Sequence, residues 1–446
     1  MKRPNLPRPI SSALLACALW GISVPMLHAG VDVSSAAAVK PARPKIPERT
    51  FTLTDFGAIG DGRTMNTDAF KKAIAAVDHA GGGKLIVPKG VFRTAPFALC
   101  SNLDFHLDEG AVIQAPDTFE ALGLPNPASF KTQADADAVY KVPDPLITGR
   151  NLHDVALTGT GTIDGSGAHW WDWSERRMRK ERDEGRPGRV VYRRPHLVTF
   201  NTVERLLVAD ITLKNSSMFH LVPRNITDLT IERVKVRAPW DGSAPNTDAI
   251  DPGPVTRAWI HHCDIDTGDD DIVIKSGGTD ILIEDCTIKH GHGISIGSET
   301  TVGVHTMLVR RCTLDETDNG IRIKSMRGAG GLVENIRYTD ITMKNVPNAI
   351  VLQLDYVDNN RPDFRGDPKK IPAIHNIQLD HITIEGSKNA GMIHGLPDSP
   401  IKNIVLQDIT FIAEKDLDIK NADNPTFERV TRTLKPGVAP ERKIVD

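Results

Sequence analysis

Short runs in which apolar and polar residues alternate, broken by Asn, Asp or Gly, recur along most of this chain. The phrase is clear in Ile281-Leu282-Ile283-Glu284-Asp285-Cys286-Thr287-Ile288, Ile336-Arg337-Tyr338-Thr339-Asp340-Ile341-Thr342-Met343 and Ile404-Val405-Leu406-Gln407-Asp408-Ile409-Thr410-Phe411, with further copies beginning at Leu206 and Ile377. A period of two sends alternate side chains to opposite faces of a strand, and the wealth of Ile, Val and Thr suits strands rather than helices. Each copy therefore reads as two short strands joined by a bend. One copy alone cannot bury its apolar face, so the copies must stack, coil upon coil, into an all-β solenoid.

The start of the repeat is different. Asp55-Phe56-Gly57-Ala58 and Gly60-Asp61-Gly62 form a turn-rich loop, after which Asn66-Thr67-Asp68 can cap an amphipathic helix running to about His79. Gly81-Gly82-Gly83 ends that helix, and Lys84-Leu85-Ile86-Val87-Pro88 is expected to begin the first strand. A helix here would plug the open end of the solenoid, which otherwise exposes apolar side chains and unpaired strand edges. Residues 166–195 are the largest interruption of the repeat, with smaller ones at 115–145 and 355–372. Loops of this kind wall the groove of a solenoid. Trp170, Trp171 and Trp173 read as packing for the first of them.

Ahead of the repeat, Lys2, Arg3 and Arg8 precede an apolar run from Ala13 to Leu27 that closes on Ala29-Gly30. That is the pattern of a secretory signal, too short and too interrupted for a good membrane span. The expected organisation is a signal peptide over 1–29 cleaved near Ala29, a flexible segment over 30–49, and one β-helix domain over 50–446. The destination is then the periplasm or the exterior. Loss of three cations with the signal takes the formal net charge from −3 to −6. Mild acidity gives no support to nucleic-acid or anionic-membrane partners, and a polyanionic ligand would need a local basic patch. A monomer is expected.

Among the cysteines, Cys263, Cys286 and Cys312 sit in matching phrases and so face the same way on successive coils. The expected state is an interior ladder of reduced thiols. No Cys/His zinc spacing is present, and Cys100 reads as core.

Four polar clusters stand out against this background: Asn246-Thr247-Asp248, Gly268-Asp269-Asp270, Gly291-His292-Gly293 and Arg322-Ile323-Lys324. Asp248 and Asp270 are 22 residues apart, as are Asp270 and His292, which is about one solenoid coil. The step of 30 to Arg322 fits one more coil enlarged by a loop. Taken singly, each cluster is a turn former or a solvated strand face. Stacked, they bring carboxylates, an imidazole and two cations to one outer patch. Adjacent Asp269 and Asp270 would point to opposite faces of a regular strand, so convergence requires a turn or bulge at Thr267-Gly268.

With these clusters in order, and with Asp55-Phe56-Gly57-Ala58, Gly161-Thr162-Ile163-Asp164-Gly165, Trp170-Trp171 and Arg194-Pro195, the chain closely resembles the polygalacturonases of pectin-degrading glycoside hydrolase family 28. The resemblance implies a right-handed parallel β-helix that hydrolyses α-1,4 bonds between galacturonates with inversion and without a cofactor or metal. It implies Asp269 as general acid, Asp248 and Asp270 as the pair that activates water, and His292 as the group that orients or tunes the acid. Arg322 and Lys324, with Asn246, would bind the substrate, polygalacturonate or pectin. Asp271 departs from the pattern, since many relatives carry Cys after the acidic pair. It either faces inward with a polar partner or perturbs the acid. The chemistry agrees: inverting hydrolysis needs one protonated and one ionised carboxyl, and crowded carboxylates separate in pKa.

Other readings use the same residues. Loop variation would give a rhamnogalacturonan or xylogalacturonan hydrolase. Asp269, Asp270 and Asp271 as oxygen ligands would give a calcium-dependent pectate lyase, and a solenoid without chemistry would be a carbohydrate-binding module. Neither interruption at 166–195 or 355–372 is long enough to demand closure of a groove, so internal (endo) cleavage is the expected mode.

Overall fold

In the computed structural model of the chain, Met1 and residues 30–185, 190–357 and 367–439 are described. The expected signal peptide therefore lies outside the described residues apart from Met1. Residues from Val31 onward make one compact unit. Its strands pair in parallel, each with its counterpart one coil away, in a right-handed β-helix.

The interior is a set of apolar ladders. One runs Ile163, Leu213, Val236, Ile265, Ile288, Leu314, Met343, Ile384 and Phe411 in direct register, all buried. A second runs Leu157, Val208, Ile231, Ile260, Ile283, Val309, Tyr338, Leu379 and Leu406. These are the alternating apolar positions of the repeat. Its polar position is the bend: Asp285, Asp340 and Asp408 have φ of 55°, 55° and 51°, the left-handed region that Asp and Asn tolerate. Arginines occupy the same bend on neighbouring coils and pair with such acids, as in Arg311 Nε–Asp285 at 2.8 Å and Arg429 Nε–Asp408 at 2.5 Å. Cys263, Cys286 and Cys312 are free, buried and stacked, as expected.

Helix Thr67–His79 buries Ala69, Phe70, Ala73, Ile74 and Val77 over the first coils, and Phe70 stacks on Phe97 at 4.6 Å. Asn66 does not cap it through its side chain. That amide instead accepts from Ile59 N and donates to Thr64 O, each at 2.7 Å, stapling the turn-rich loop to the helix start. The first strand is Thr50–Thr52, parallel to Gly83–Val87, so the sheet begins before the helix and not after it. Residues 31–49, expected to be flexible, are packed on the outer face. Val33, Ala36 and Val39 pack with Leu282 and Leu308, and Arg43 grips Glu232 through two bonds of 3.2 and 2.7 Å.

The interruptions at 115–145 and 166–195 fold against each other. Trp170 meets Phe119 edge-on at 4.8 Å and Tyr192 stacks on Tyr140 at 3.8 Å, while Trp171 Nε1 donates to Ser216 O at 3.0 Å. The tryptophans thus serve as packing. From this platform rises a helix, Glu175–Asp183. Part of the interruption at 355–372 lies outside the described residues.

Candidate active site

Ile250 bridges Ile272, and Ile272 pairs with Ile294. Asp248, Asp270 and His292, each two residues before these, therefore hold one position on three successive coils, as the spacing of 22 predicts. The next coil is longer: Ile294 pairs with Ile321 and Ser295 with Arg322, so Arg322 and Lys324 lie farther along the strand and reach back. The strand Asp264–Thr267 ends before the acidic pair and Ile272–Ile274 follows it. Residues 268–271 are thus the expected turn, which turns Asp269 and Asp270 toward the same imidazole. Gly291 and Gly293 have steric reasons. A Cβ at Gly291 would lie 2.4 Å from both carboxylate oxygens of Asp271, and one at Gly293 would lie 2.2 Å from Asn319 O.

Charge alternates through the cluster. Asp270 accepts from Lys324 Nζ at 2.9 Å and from Arg322 NH1 at 3.3 Å. Asp269 Oδ2 lies 3.1 Å from Arg176 NH1, and its Oδ1 accepts Asp270 N at 2.9 Å. His292 Nδ1 is 3.4 Å from Asp269 Oδ1 and 3.8 Å from Asp270 Oδ1, with Nε2 3.5 Å from Asp318 Oδ2. Lys275 Nζ stands 3.1 Å from Asp248, 3.5 Å from Asp251 and 3.8 Å from Asp270.

These neighbours split the carboxyls into two states. Burial opposes the charge on Asp269, but His292 and Arg176 outweigh it and hold the carboxyl well below the usual carboxylate range. Burial likewise opposes the charge on Asp270, and Lys324 and Arg322 overcome it. Asp248 goes the other way: burial pushes it well up, against Lys275. Burial raises Asp251 to about 7, again against Lys275. His292 loses by burial and gains more from Asp269, ending at about 9, so it is a cation near neutral pH.

Two sequence-based readings change, and of the two left open for Asp271 the inward one is found. Asn246 is held by Arg194, whose NH2 donates to its Oδ1 at 2.8 Å, and its own Nδ2 lies 3.5 Å from Asp269 Oδ2; it is tied to the acid rather than set out toward a ligand. Asp271 faces inward and is fully buried, accepting Gly293 N at 2.8 Å and Thr267 Oγ1 at 3.2 Å. Asp269, Asp270 and Asp271 therefore do not converge on one cation. Among the described residues, Asp269, Asp270 and His292 alone offer metal-ligand atoms in close proximity, within 4.8 Å. The chemistry of that set is poor for a divalent ion, because Arg176, Arg322 and Lys324 already face its two carboxylates.

Other residues escaped sequence reading. Arg176 arrives from the insertion, and Arg194, noted in the sequence only as part of Arg194-Pro195 and given no role there, is buried behind Asn246. Tyr356 lies under the cations, its ring centre 5.5 Å from Lys324 Nζ and 5.8 Å from Arg322 Cζ. Lys275 had a signal: Ile272-Val273-Ile274-Lys275 repeats Ile321-Arg322-Ile323-Lys324, and register places both lysines at one coil position.

Comparison with known proteins agrees with this architecture. The profile of "Glycosyl hydrolases family 28" matches residues 105–428. A "Probable polygalacturonase" of Vitis vinifera is 31% identical over 377 residues, covering 80% of this chain and 73% of that protein. An "Endo-polygalacturonase" of Pectobacterium carotovorum subsp. carotovorum is 27% identical over 363 residues, covering 78% and 85%. The crystal structure of a hyperthermoactive exopolygalacturonase from Thermotoga maritima superposes with a TM-score of 0.71 at 28% identity, covering 89% of this chain and 95% of that one. A profile match across most of a chain whose coils carry the acidic and basic clusters in register leaves one assignment: the chain belongs to glycosyl hydrolase family 28 and is a glycoside hydrolase.

Proposed function

We propose that this enzyme hydrolyses the α-1,4 bonds of polygalacturonate with inversion, taking sugars from a chain end. The observation that carries the chemistry is the convergence of Asp248, Asp269 and Asp270 from successive coils on one cluster with His292, Arg322 and Lys324, since inverting hydrolysis works through a pair of carboxyls. Asp269 is the more exposed of the three, at 8% against 2% for Asp270 and 1% for Asp248, so it is the one a glycosidic oxygen can reach. It serves as general acid once protonated in the complex, and His292 orients it. Asp270, held ionised against burial by Lys324 and Arg322, draws the proton from water, with Asp248, raised by burial in the free site, as the second member of the water-activating pair. Arg322 and Lys324 meet a sugar carboxylate, which a pectate chain supplies on every unit. The inward turn of Asp271 weighs against the calcium-dependent lyase. The basic start and apolar run of residues 1–29 fit export of the enzyme to an external polymer.

The mode of attack rests on where the insertion is rooted. Asp164, Lys214, Arg237 and Asp266 are in register on successive coils, and the insertion leaves the coil just after Asp164. To bring Arg176 to Asp269 it must run along the solenoid axis over three coil spacings, roughly 14 Å at about 4.8 Å each. It thereby stands on the N-terminal side of the acid, where it would close that end of a groove. That favours exo attack over the internal cleavage expected from loop length alone.

The test is incubation with polygalacturonate, chelator present, with product sizing and viscosity followed against reducing ends. One small product of fixed length with slowly falling viscosity is expected. Mixed oligomers with an early viscosity drop would reject the exo mode. An ultraviolet-absorbing product lost with chelator would mark a lyase, and binding without new reducing ends a non-catalytic module.

A further inference from the structure

The general acid has a difficulty that the insertion explains. Asp269 must be protonated when the glycosidic bond breaks, yet in the free site its neighbours are chiefly cations. Arg176 reaches it from the insertion, His292 from the next coil, and Lys324 and Arg194 act from farther along and behind. Against them stand Asp248, Asp251 and Asp270. Of the cations, Arg194 is buried and bound to Ser217 O, Pro245 O and Asn246 Oδ1. Lys324 is engaged by Asp270, and His292 is shared among three carboxylates. Arg176 differs in origin, since it sits on the first turn of a helix outside the solenoid. That helix is capped by Ser174 Oγ, which accepts from Arg177 N at 3.2 Å, and anchored by buried Met178. Its side chain is 13% exposed at the edge of the cluster.

Resting on the function proposed above, we infer that Arg176 is a substrate-exchanged latch: the carboxylate of the bound galacturonate replaces Asp269 as a partner of the Arg176 guanidinium. Asp269, relieved of a cation, then takes up one proton from solvent and becomes the acid that protonates the leaving oxygen. An arginine fork accepts a carboxylate in the same geometry whether it comes from protein or sugar, so the exchange needs no movement of the helix. It also confines acid formation to the complex with an acidic sugar, which makes Arg176 a specificity-determining residue as well as a binding one.

The test compares the pH dependence of kcat/KM, which reports the free enzyme, with that of kcat, which reports the complex, using de-esterified polygalacturonate. In the wild type the alkaline limb of kcat should lie at higher pH than that of kcat/KM. In Arg176→Gln the kcat/KM limb should rise by about one to three pH units, closing the gap, while KM increases about ten- to a hundredfold. Arg176→Lys, which keeps the charge but not the fork, should keep the gap and raise KM less. Coincident limbs in the wild type, an unchanged gap in Arg176→Gln, or an unchanged KM in both variants would each overturn the latch. If Arg176→Gln does not fold, the wild-type gap and the KM of Arg176→Lys decide. Absence of any hydrolysis by the wild type would instead overturn the function on which the latch rests.

Discussion

The ammonium of Lys275 lies 3.1 Å from Asp248 Oδ2, and it is the same ammonium that reaches Asp251 and Asp270. One cation thus compensates three buried carboxyls on two coils. Removing one partner of such a cluster leaves uncompensated buried charge, at a cost of about 3–5 kcal/mol. Lys275→Met is therefore expected to lower the melting temperature markedly and to abolish activity, whereas Lys275→Arg retains most of the stability. Thermal melts with activity assays check this; a Lys275→Met enzyme that melts like the wild type would show that the cluster is neutral without its lysine.

The acid and the water-activating group are separable from the fold. Asp269→Asn and Asp248→Asn should each reduce turnover about 10²–10⁴-fold, with circular dichroism unchanged. Near-wild-type turnover in either variant removes that residue from the mechanism. Product NMR should show the β anomer first, and early α anomer would refute inversion.

Stability should fall as pH rises through the neutral range. Asp251, raised to about 7, stabilises the fold fully below the ordinary aspartate value near 3.9, and that contribution is lost as pH rises through about 7. His292, raised to about 9, contributes fully below about 6.5 and its contribution is lost as pH rises through about 9. The two windows follow one another. Asp251→Asn should lessen the slope in the lower part of a plot of melting temperature against pH, with Asp248 and Asp271, also raised by burial, supplying the remainder. A variant with the wild-type slope between about pH 4 and 7 would show that Asp251 is not a titrating group.

The thiol ladder makes a simple chemical prediction. Cys263, Cys286 and Cys312 are buried and unbridged, so native protein should react slowly with a thiol reagent. Protein denatured without reductant should titrate all three together with Cys100. Missing thiols after denaturation would mean that adjacent rungs are bridged.

Legibility followed the coil period. Asp248, Asp270 and His292 could be stacked from spacing because the coils between them carry no insertion, and the apolar ladders were visible because strand alternation survives every bend. Arg322 was placed only approximately, because its coil is 27 residues and not 22 between Ile294 and Ile321. Arg176 was not legible at all: it stands outside the repeat, and only three-dimensional reach along the axis brings it to Asp269. Asn66 and the packed segment at 31–49 show the same limit on a smaller scale. A local cap signal was outcompeted by a tertiary hydrogen-bond network, and a proline-containing stretch of mixed apolar and charged residues packs against distant coils.

Asp271 is where the chain departs from the pattern it otherwise follows, and its burial makes the departure testable. Desolvation pushes its carboxyl well above the ordinary range, although Gly293 N and Thr267 Oγ1 both favour the charged form. Protonated, it resembles an asparagine in shape and in its ability to accept Gly293 N–H. Asp271→Asn should therefore be close to neutral in stability at pH 7 and should keep His292 in place. Asp271→Ala leaves the buried Gly293 N–H without its acceptor, costing about 1–3 kcal/mol, and loosens the Gly291–Gly293 turn that carries His292. Turnover should fall with it. Because Asp271 does not touch the cleft, the loss should appear in kcat together with a lower melting temperature. A fall in turnover for Asp271→Asn as large as for Asp269→Asn would mean instead that the third acid acts directly on the catalytic pair.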